Sequence, residues 1–255
     1  MRIQVLGCSG GTGDGRRTTG MLVDGRVLID AGTGVGDLPL ASLRGVDDVF
    51  ITHAHLDHIA GLPLYIDSVQ GRAGRAPVRV HARGETLDAL RTHIFNDVIW
   101  PDFSRIEGPC GPLMKFVPIA PGEVVELAGL RIGAVDVAHG VPALGYWVER
   151  DGRCFAFSGD TRTNLTLWRA LNARPRLDML VVDVSFPDAQ YALAERSGHY
   201  CPGTLAADLD RLDHRPAIRV TAAKPGEETV ILDEVRAALP GRDVAALHDG
   251  QLLHV

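Results

Sequence analysis

The sequence lacks several features that mark common protein classes, and each absence narrows its assignment. No apolar run is long enough to cross a bilayer, and the N-terminal MRIQVLGCSGG holds no apolar stretch with a cleavage site, so we expect a cytoplasmic protein without membrane contact. Cys8, Cys110, Cys154 and Cys201 form no Cys-x-x-Cys pair, which argues against a disulfide framework and a cysteine-based zinc site. A formal net charge of −6 gives no general attraction for nucleic acid, so no long nucleic-acid partner is expected.

The order of apolar runs indicates an α/β fold. Short β-branched runs end repeatedly in Gly, Asp or His, first strand after strand and later in alternation with helical patterns. This order predicts two sheets packed face to face with helices outside, an αββα sandwich. A chain of 255 residues can bury one large core, so we expect a single domain over residues 1–255. Helices are predicted over 58–70, 84–97, 163–172, 202–212 and 226–238, and the Pro- and Gly-rich segment 101–122 is predicted to be a surface connection or a lid.

The segment DVFITHAHLDHIAGLPL carries the strongest chemical signal. A short strand leads into a tight turn that holds His53, His55, Asp57 and His58. Three imidazoles and a carboxylate within six residues form a good ligand set for zinc, iron or manganese, which all accept nitrogen and oxygen donors. A plain polar surface turn is the alternative, but Ser and Thr would serve such a turn better than three titratable rings. The pattern therefore predicts a metal site.

The same segment resembles the metallo-β-lactamase superfamily, in which HxHxDH follows a strand. The resemblance implies two metals, one bound by the first two His and the other by the Asp and the third His. It also implies later ligands in a fixed order. His139 in VAHG resembles the first metal's third His, and Asp160 in FSGDT resembles the bridging Asp. Taken alone, His139 is an ordinary strand-end residue and Asp160 a possible helix cap.

A finer resemblance extends from Leu6 to Lys224. The stretches HAHLDHIAGL, HIFNDVIWPDF, VVDVSF, GHYCPGTL and KPG are similar to the class II cyclic-nucleotide phosphodiesterases, a branch near ribonuclease Z. In the ribonuclease Z branch, an acidic residue before a Thr- or Ser-Phe pair partners a later His to shuttle a proton, and the counterparts here are Asp183 and His199. The alternative is that Asp183 merely ends a strand and His199 caps a helix. With Asp57, these two residues complete the predicted catalytic set.

One ligand that the resemblance implies is missing. The second metal's final His would lie two residues before the Lys-Pro pair, where RVTAAKPG has Ala222. His248 is the predicted replacement, because a right-handed crossover would lay its strand parallel to RVTAA and bring both strand ends to one edge of the sheet. The alternative is that His248 only precedes the Asp-Gly turn that follows it.

The function implied is hydrolysis of a small phosphodiester, foremost a 3′,5′-cyclic nucleotide, by a hydroxide held between two divalent metals. Zinc is the expected metal, with manganese or iron as alternatives, and we expect a homodimer. One alternative keeps the metallo-hydrolase but changes the ester to an RNA 3′ end, a lactone or a thioester. The absence of an obvious long basic insertion favours the small substrate over RNA. The other alternative is a di-iron protein that binds oxygen or senses a ligand without hydrolysing it.

Overall fold

A computed structural model describes residues 1–70 and 76–255 of the chain, which form two seven-stranded sheets packed face to face. The predicted αββα sandwich is confirmed. The strands are β1 Arg2–Gly7, β2 Gly20–Val23, β3 Val27–Ala31, β4 Asp48–Phe50, β5 Val78–Ala82, β6 Glu107–Gly108, β7 Gly111–Pro112, β8 Met114–Pro118, β9 Val124–Leu127, β10 Leu130–Val137, β11 Ala143–Arg150, β12 Arg153–Phe157, β13 Met179–Asp183, β14 Ala217–Thr221, β15 Val244–Ala246 and β16 Leu252–His254. The helices are α1 Leu40–Gly45, α2 Leu56–Ile59, α3 Leu62–Val69, α4 Gly84–His93, α5 Thr166–Asn172, α6 Tyr191–Ser197, α7 Pro202–Leu209 and α8 Glu228–Ala238, with 3₁₀ turns at Thr33–Asp37 and Asp188–Gln190.

Each of the two sheets contains a group of four parallel strands. The first sheet runs β16-β1-β2-β3-β4-β5-β8, and the second runs β15-β14-β13-β12-β11-β10-β9. Strands β3, β4, β5 and β8 are mutually parallel, as are β12 to β15. Parallel strands bring their carboxyl ends to one edge, where the following turns gather side chains. In each sheet this edge supplies residues of the site.

Successive side chains of a strand point to opposite faces of its sheet, which divides the apolar core into layers. On β3, Val27 and Ile29 pack between the two sheets, whereas Leu28 packs toward the helices outside the first sheet. A further cluster lies outside the second sheet, where Trp168 of α5 and Leu205 of α7 cover Leu180 of β13. Among the described residues, no helix has the length and apolarity needed to span a membrane.

The predicted helices agree with the structure in place, but one is divided. The range 58–70 becomes α2 and α3, separated at Gly61. A Cβ at Gly61 would lie 2.5 Å from the Gly32 carbonyl oxygen, so this close approach requires glycine. The Gly61 N–H donates to the Ala31 carbonyl oxygen at 2.8 Å, outside the helix, which separates α2 from α3. Helices α1 and α6 were not predicted, because six and seven residues show too little apolar periodicity to be recognised.

The segment 101–122 is not a lid. Its strand β8 pairs in parallel with β5 and forms an edge of the first sheet, and β6 with β7 forms a small hairpin before it. Pro112 and Pro118 lie close to the ends of this strand, where a missing N–H is tolerated at a sheet edge. Of the prolines that suggested a loop, Pro118 therefore belongs to the edge strand β8, and Pro112 to the hairpin before it.

Candidate metal centre

Most of the predicted site residues converge where the two sheets meet. His53, His55 and His58 follow β4 of the first sheet, whereas His139 and Asp160 follow β10 and β12 of the second. The structure forms three overlapping groups in which potential ligand atoms lie within 4.8 Å of one another: His53 with His55 and His139, His53 with His58 and Asp160, and His139 with Asp160 and His199. Residues far apart in sequence thus form one cluster.

Two buried imidazoles in this cluster have a nitrogen without a partner. The Nε2 atoms of His53 and His58 are buried and make no hydrogen bond. On the opposite side of the rings, His53 Nδ1 lies 3.0 Å from Thr52 Oγ1, and His58 Nδ1 lies 2.7 Å from Asp30 Oδ2. A carboxylate that accepts the Nδ1 proton leaves the Nε2 lone pair free to bind a metal. The orphaned atoms therefore fit a cation between them and Asp160.

The charges around the cluster also suit a cation. Burial lowers the pKa of His53 well below its ordinary value, with His58 adding to the effect, so the ring is held neutral. Burial raises the pKa of Asp160, but the charge of His58, whose Nε2 lies 3.4 Å from Asp160 Oδ2, outweighs burial and holds this pKa well below its ordinary range. Burial likewise lowers the pKa of His58, yet Asp160 and Asp30 raise it well above its ordinary value. A bound cation would take the place of the proton on His58.

His139 is oriented by a backbone carbonyl. Its Nδ1 donates to the Gly198 carbonyl oxygen at 2.8 Å, and its Nε2 lies 3.1 Å from His55 Nδ1. Gly198 has φ +78°, and a Cβ there would lie 2.8 Å from the Gly140 nitrogen and 3.0 Å from His139 Nδ1. Only glycine fits this contact. The loop that carries Gly198 thus fixes the His139 ring.

Asp57 lies at the margin of the cluster. It is in the first turn of α2, its side chain is 30% exposed, and its Oδ2 lies 3.8 Å from His58 Nε2. Asp57 faces the same imidazole nitrogen as Asp160, although it belongs to none of the three tight groups. The partly exposed Asp57 carboxylate therefore lies near the position that a cation bound at His58 Nε2 would take.

A buried hydrogen-bonded pair lies next to the cluster. His199 Nδ1 is 2.8 Å from Asp183 Oδ2, and Ser185 Oγ is 2.7 Å from Asp183 Oδ1 and 3.1 Å from His199 Nδ1. The backbone N–H of Thr161 also donates to Asp183, at 3.1 Å. Burial lowers the pKa of His199, as does the charge of Lys224, but Asp183 outweighs both and raises it above the ordinary value. This pair can hold a proton at His199 beside the cluster.

His248 is not brought to the cluster. The predicted parallel pairing of β14 and β15 is present, but His248 follows β15 with its side chain exposed. The edge of Ala222 that would face it is occupied by the first loop of the chain: the Ala222 N–H donates to the Cys8 carbonyl at 2.8 Å, and the Gly10 N–H donates to the Ala223 carbonyl at 3.0 Å. Residues 8–10 therefore occupy the backbone edge just beyond the end of β14, at Ala222 and Ala223.

Two supporting residues were not predicted from the sequence. Asp30 is fully buried at the end of β3, where its carboxylate accepts hydrogen bonds from Thr52 and lies against His58. Ser185 contacts both members of the Asp183–His199 pair. A signal for Asp30 existed, since an aspartate inside the apolar run RVLIDAG occupies a position where unpaired carboxylates are rare. No comparable signal marked Ser185.

The donor set is compatible with several divalent cations. All candidate ligand atoms are imidazole nitrogens or carboxylate oxygens, as zinc, manganese and iron accept. Each of the three imidazoles considered above has its remote nitrogen engaged, which is the usual support for a metal ligand. The residues present thus fit a divalent metal without fixing its identity.

Comparisons with known proteins agree with this geometry. Residues 25–220 match the family model described as Beta-lactamase superfamily domain. The probable 3′,5′-cyclic-nucleotide phosphodiesterase of Yersinia pestis is 26% identical over 185 residues, which cover 67% of this chain and 52% of that protein. A ribonuclease Z of Bradyrhizobium sp. (strain ORS 278) is 29% identical over 293 aligned residues, covering 92% of this chain and 93% of that protein. The match thus spans about half of the phosphodiesterase relative and nearly all of the ribonuclease Z relative.

A solved structure shows the same architecture. Unliganded yeast PDE1 superposes with a TM-score of 0.85 at 20% identity, over 100% of this chain and 99% of that chain. At this identity the likeness concerns the fold alone. It agrees with the two packed sheets and outer helices described above.

Proposed function

This chain belongs to the β-lactamase superfamily, and from that premise we propose that it is a metal-dependent hydrolase of small phosphodiesters, foremost of 3′,5′-cyclic nucleotides. The observation that carries the proposal is the position of the Asp183–His199 pair beside a cluster of imidazoles and an ionised carboxylate. Such an arrangement provides metal ligands and a separate proton donor within one site.

In the proposed site, His53, His55 and His139, whose ligand atoms form one of the three groups, would hold the first metal. Asp57 and His58 would hold a second metal, and Asp160 would contribute a carboxylate oxygen to the site. When bound, such ions lower the pKa of a water and neutralise phosphate charge. Asp30 and Thr52 hold the rings of their His partners in the orientation that binding requires.

The Asp183–His199 pair supplies the proton for the leaving group. Because Nδ1 is hydrogen-bonded to Asp183, Nε2 is the His199 nitrogen that would donate to the departing oxygen. His199 has a raised pKa because Asp183 outweighs burial, so the ring retains its proton nearer to neutral pH. Protonation of the departing oxygen by such a group is worth about 10²- to 10⁴-fold in rate.

Substrate size separates the two candidate diesters. The similarity to ribonuclease Z extends over 92% of the chain, which keeps an RNA 3′ end as a second candidate. The net charge of −6 disfavours a long polyanion and supports the small diester. Lactones and thioesters remain further alternatives within the same chemistry.

Hydrolysis of a substrate panel tests the proposal. Zinc-, manganese- and iron-loaded protein is assayed with cAMP, cGMP, bis(p-nitrophenyl) phosphate, a precursor tRNA, a lactone and a thioester, with His53→Ala as the inactive control. We expect turnover of a cyclic nucleotide that the control lacks. Turnover of only generic diesters, RNA, lactones or thioesters in all three metal forms would contradict the cyclic-nucleotide assignment.

The non-hydrolytic alternative, the single domain and the homodimer are tested separately. A di-iron protein without hydrolytic activity would show iron on metal analysis and a coloured optical spectrum, whereas zinc or manganese enzymes are colourless. We also propose that residues 1–255 act as one domain and that the protein is a homodimer. Light scattering coupled to size-exclusion chromatography measures the oligomeric state directly.

A further inference from the structure

Lysine is rare in this chain, and one of its lysines lies at the candidate site. Of the 26 basic residues, 24 are arginine and only Lys115 and Lys224 are lysine. Lys115 is exposed on the edge strand β8, whereas Lys224 is half-buried just after β14. A lysine presents a compact point charge on a flexible stem, unlike the planar fork of arginine.

Phe186 lies between the Lys224 ammonium and the ring of His199, so the ammonium is on the side of the site that holds the Asp183–His199 pair. Lys224 Nζ lies 5.8 Å from the centre of the Phe186 ring, and that ring lies 5.7 Å from the His199 ring. His199 Nδ1 in turn lies 3.9 Å from Asp160 Oδ2 in the ligand cluster. The backbone N–H of Lys224 donates to the Ser185 carbonyl, which fixes the start of its side chain beside the Asp183–His199 pair.

The ammonium has no carboxylate to neutralise it. Within the described parts of the chain, Lys224 Nζ makes a single hydrogen bond, to the Gly10 carbonyl oxygen at 3.0 Å, and no carboxylate lies within ion-pair distance. An ammonium carries three donors, so two are left unused by that bond. Many arginines of this chain, by contrast, are paired with Asp or Glu, as Arg79 is with Asp48. A partly buried, unpaired cation is therefore positioned for an anion from outside the chain.

We propose that Lys224 is a substrate-binding residue whose ammonium holds a non-bridging oxygen of the phosphodiester. This inference rests on the proposed function, since it names the group that receives the substrate phosphate. It also accounts for Ala222: at the side of the cluster that lacks a ligand, a fixed ammonium contributes positive charge to the phosphate. Lys224 lies two residues after Ala222 and on the same side of the site as His199.

The competing role for Lys224 is purely structural. Its bond to Gly10 ties down the first loop, which packs so tightly that a Cβ at Gly10 would lie 2.3 Å from the Ala222 carbonyl oxygen. Lys224→Gln separates the two roles, because its amide can still donate to the Gly10 carbonyl but carries no charge. Lys224→Met removes both the charge and the donor, and Lys115→Met is the matched control on the distant edge strand.

The experiment compares these variants in the metal-loaded enzyme. For the diester that the wild-type protein hydrolyses, kcat and KM are measured together with the inhibition constant of inorganic phosphate, metal content and Tm. We expect both Lys224 variants to raise KM and the phosphate inhibition constant about 10- to 100-fold, the scale of one lost charged hydrogen bond. Metal content is expected to stay unchanged, and Lys115→Met to match the wild type throughout.

Three outcomes would overturn the proposal: wild-type KM and phosphate inhibition in Lys224→Gln, a lower Tm as the only change in Lys224→Met, or loss of metal from either variant. If Lys224→Met fails to fold, Lys224→Gln alone decides. If the wild type hydrolyses no phosphodiester, the proposed function fails instead. Calorimetric titration of inorganic phosphate into metal-loaded wild type and Lys224→Gln then still tests the binding role of Lys224.

Discussion

Asp30→Asn is expected to weaken metal binding without touching a ligand. The Asp30 carboxylate lies 2.7 Å from His58 Nδ1 and accepts from the Thr52 backbone N–H at 2.8 Å and from the Thr52 hydroxyl at 2.8 Å. An amide offers only one oxygen and introduces an NH₂ donor. If the NH₂ faces His58, the ring must carry its proton on Nε2, where the metal would bind. If the NH₂ faces Thr52, two buried donors oppose each other.

Either orientation of the amide is expected to lower the affinity for metal. Loss of such a supporting carboxylate lowers metal affinity about 10- to 100-fold, or about 1.4 to 2.8 kcal/mol. A charged hydrogen bond in a buried site has a similar worth of about 1.5 to 3 kcal/mol. Zinc occupancy of the variant is therefore expected to reach its midpoint at a free zinc concentration about 10- to 100-fold higher.

Zinc affinity is measured by competition with a chromophoric chelator, and occupancy by metal analysis after dialysis at buffered free zinc. Asp48→Asn is the matched control, because Asp48 is also buried and lies 2.8 Å from an imidazole, that of His81, away from the cluster. This control should lower Tm but leave zinc affinity unchanged. Wild-type zinc affinity in Asp30→Asn would refute the role assigned to Asp30.

Three further predictions follow from the same contacts. His199→Ala should lower kcat by about 10²- to 10⁴-fold with metal content unchanged, measured by kinetics and metal analysis, whereas loss of a metal would show that His199 is a ligand. His248→Ala should leave metal content unchanged, because the His248 side chain is exposed and belongs to none of the three groups of ligand atoms; a fall from two metals toward one would favour the role predicted from the sequence. Burial raises the pKa of Asp48, but hydrogen bonds from His81 and Arg79 outweigh burial and hold this pKa below its ordinary value. The ionised Asp48 therefore stabilises the fold above about pH 4, and this stabilisation is lost as the pH falls through the lower pKa of the folded state. Asp48→Asn should therefore flatten the acid limb of unfolding free energy against pH, and an unchanged slope would contradict this linkage.

The imidazoles of the cluster were easier to predict from the sequence than the residues that orient them. His53, His55 and His58 lie within one turn, so short-range offsets alone place their rings close together. The contact of Asp30 with His58 spans 28 residues and exists only after β3 and β4 pair. Such a contact depends on the pairing of two strands that are distant in sequence, so the residues around Asp30 or His58 alone do not reveal it.

The placement of His248 shows the same limit. The crossover rule correctly gave the parallel pairing of β14 with β15. It could not show that residues 8–10, from the other end of the chain, would occupy the edge of Ala222. A loop 214 residues away in sequence decides which side chains reach this part of the site, as the bond from Lys224 to Gly10 illustrates.

The cluster draws on both layers of the sandwich, with His53 and His58 from the first sheet and His139 and Asp160 from the second. A cation bound by these residues would link the two sheets, since the ligands of the proposed site come from both. The unfolded chain keeps the donors of residues 53–58 near one another but not His139 or Asp160, so the folded chain binds metal more tightly. Each tenfold rise in free metal above the dissociation constant then adds up to about 1.4 kcal/mol per site to the free energy of unfolding. The fraction of chains with bound metal would then indicate, in the absence of substrate, how many have the two sheets packed together.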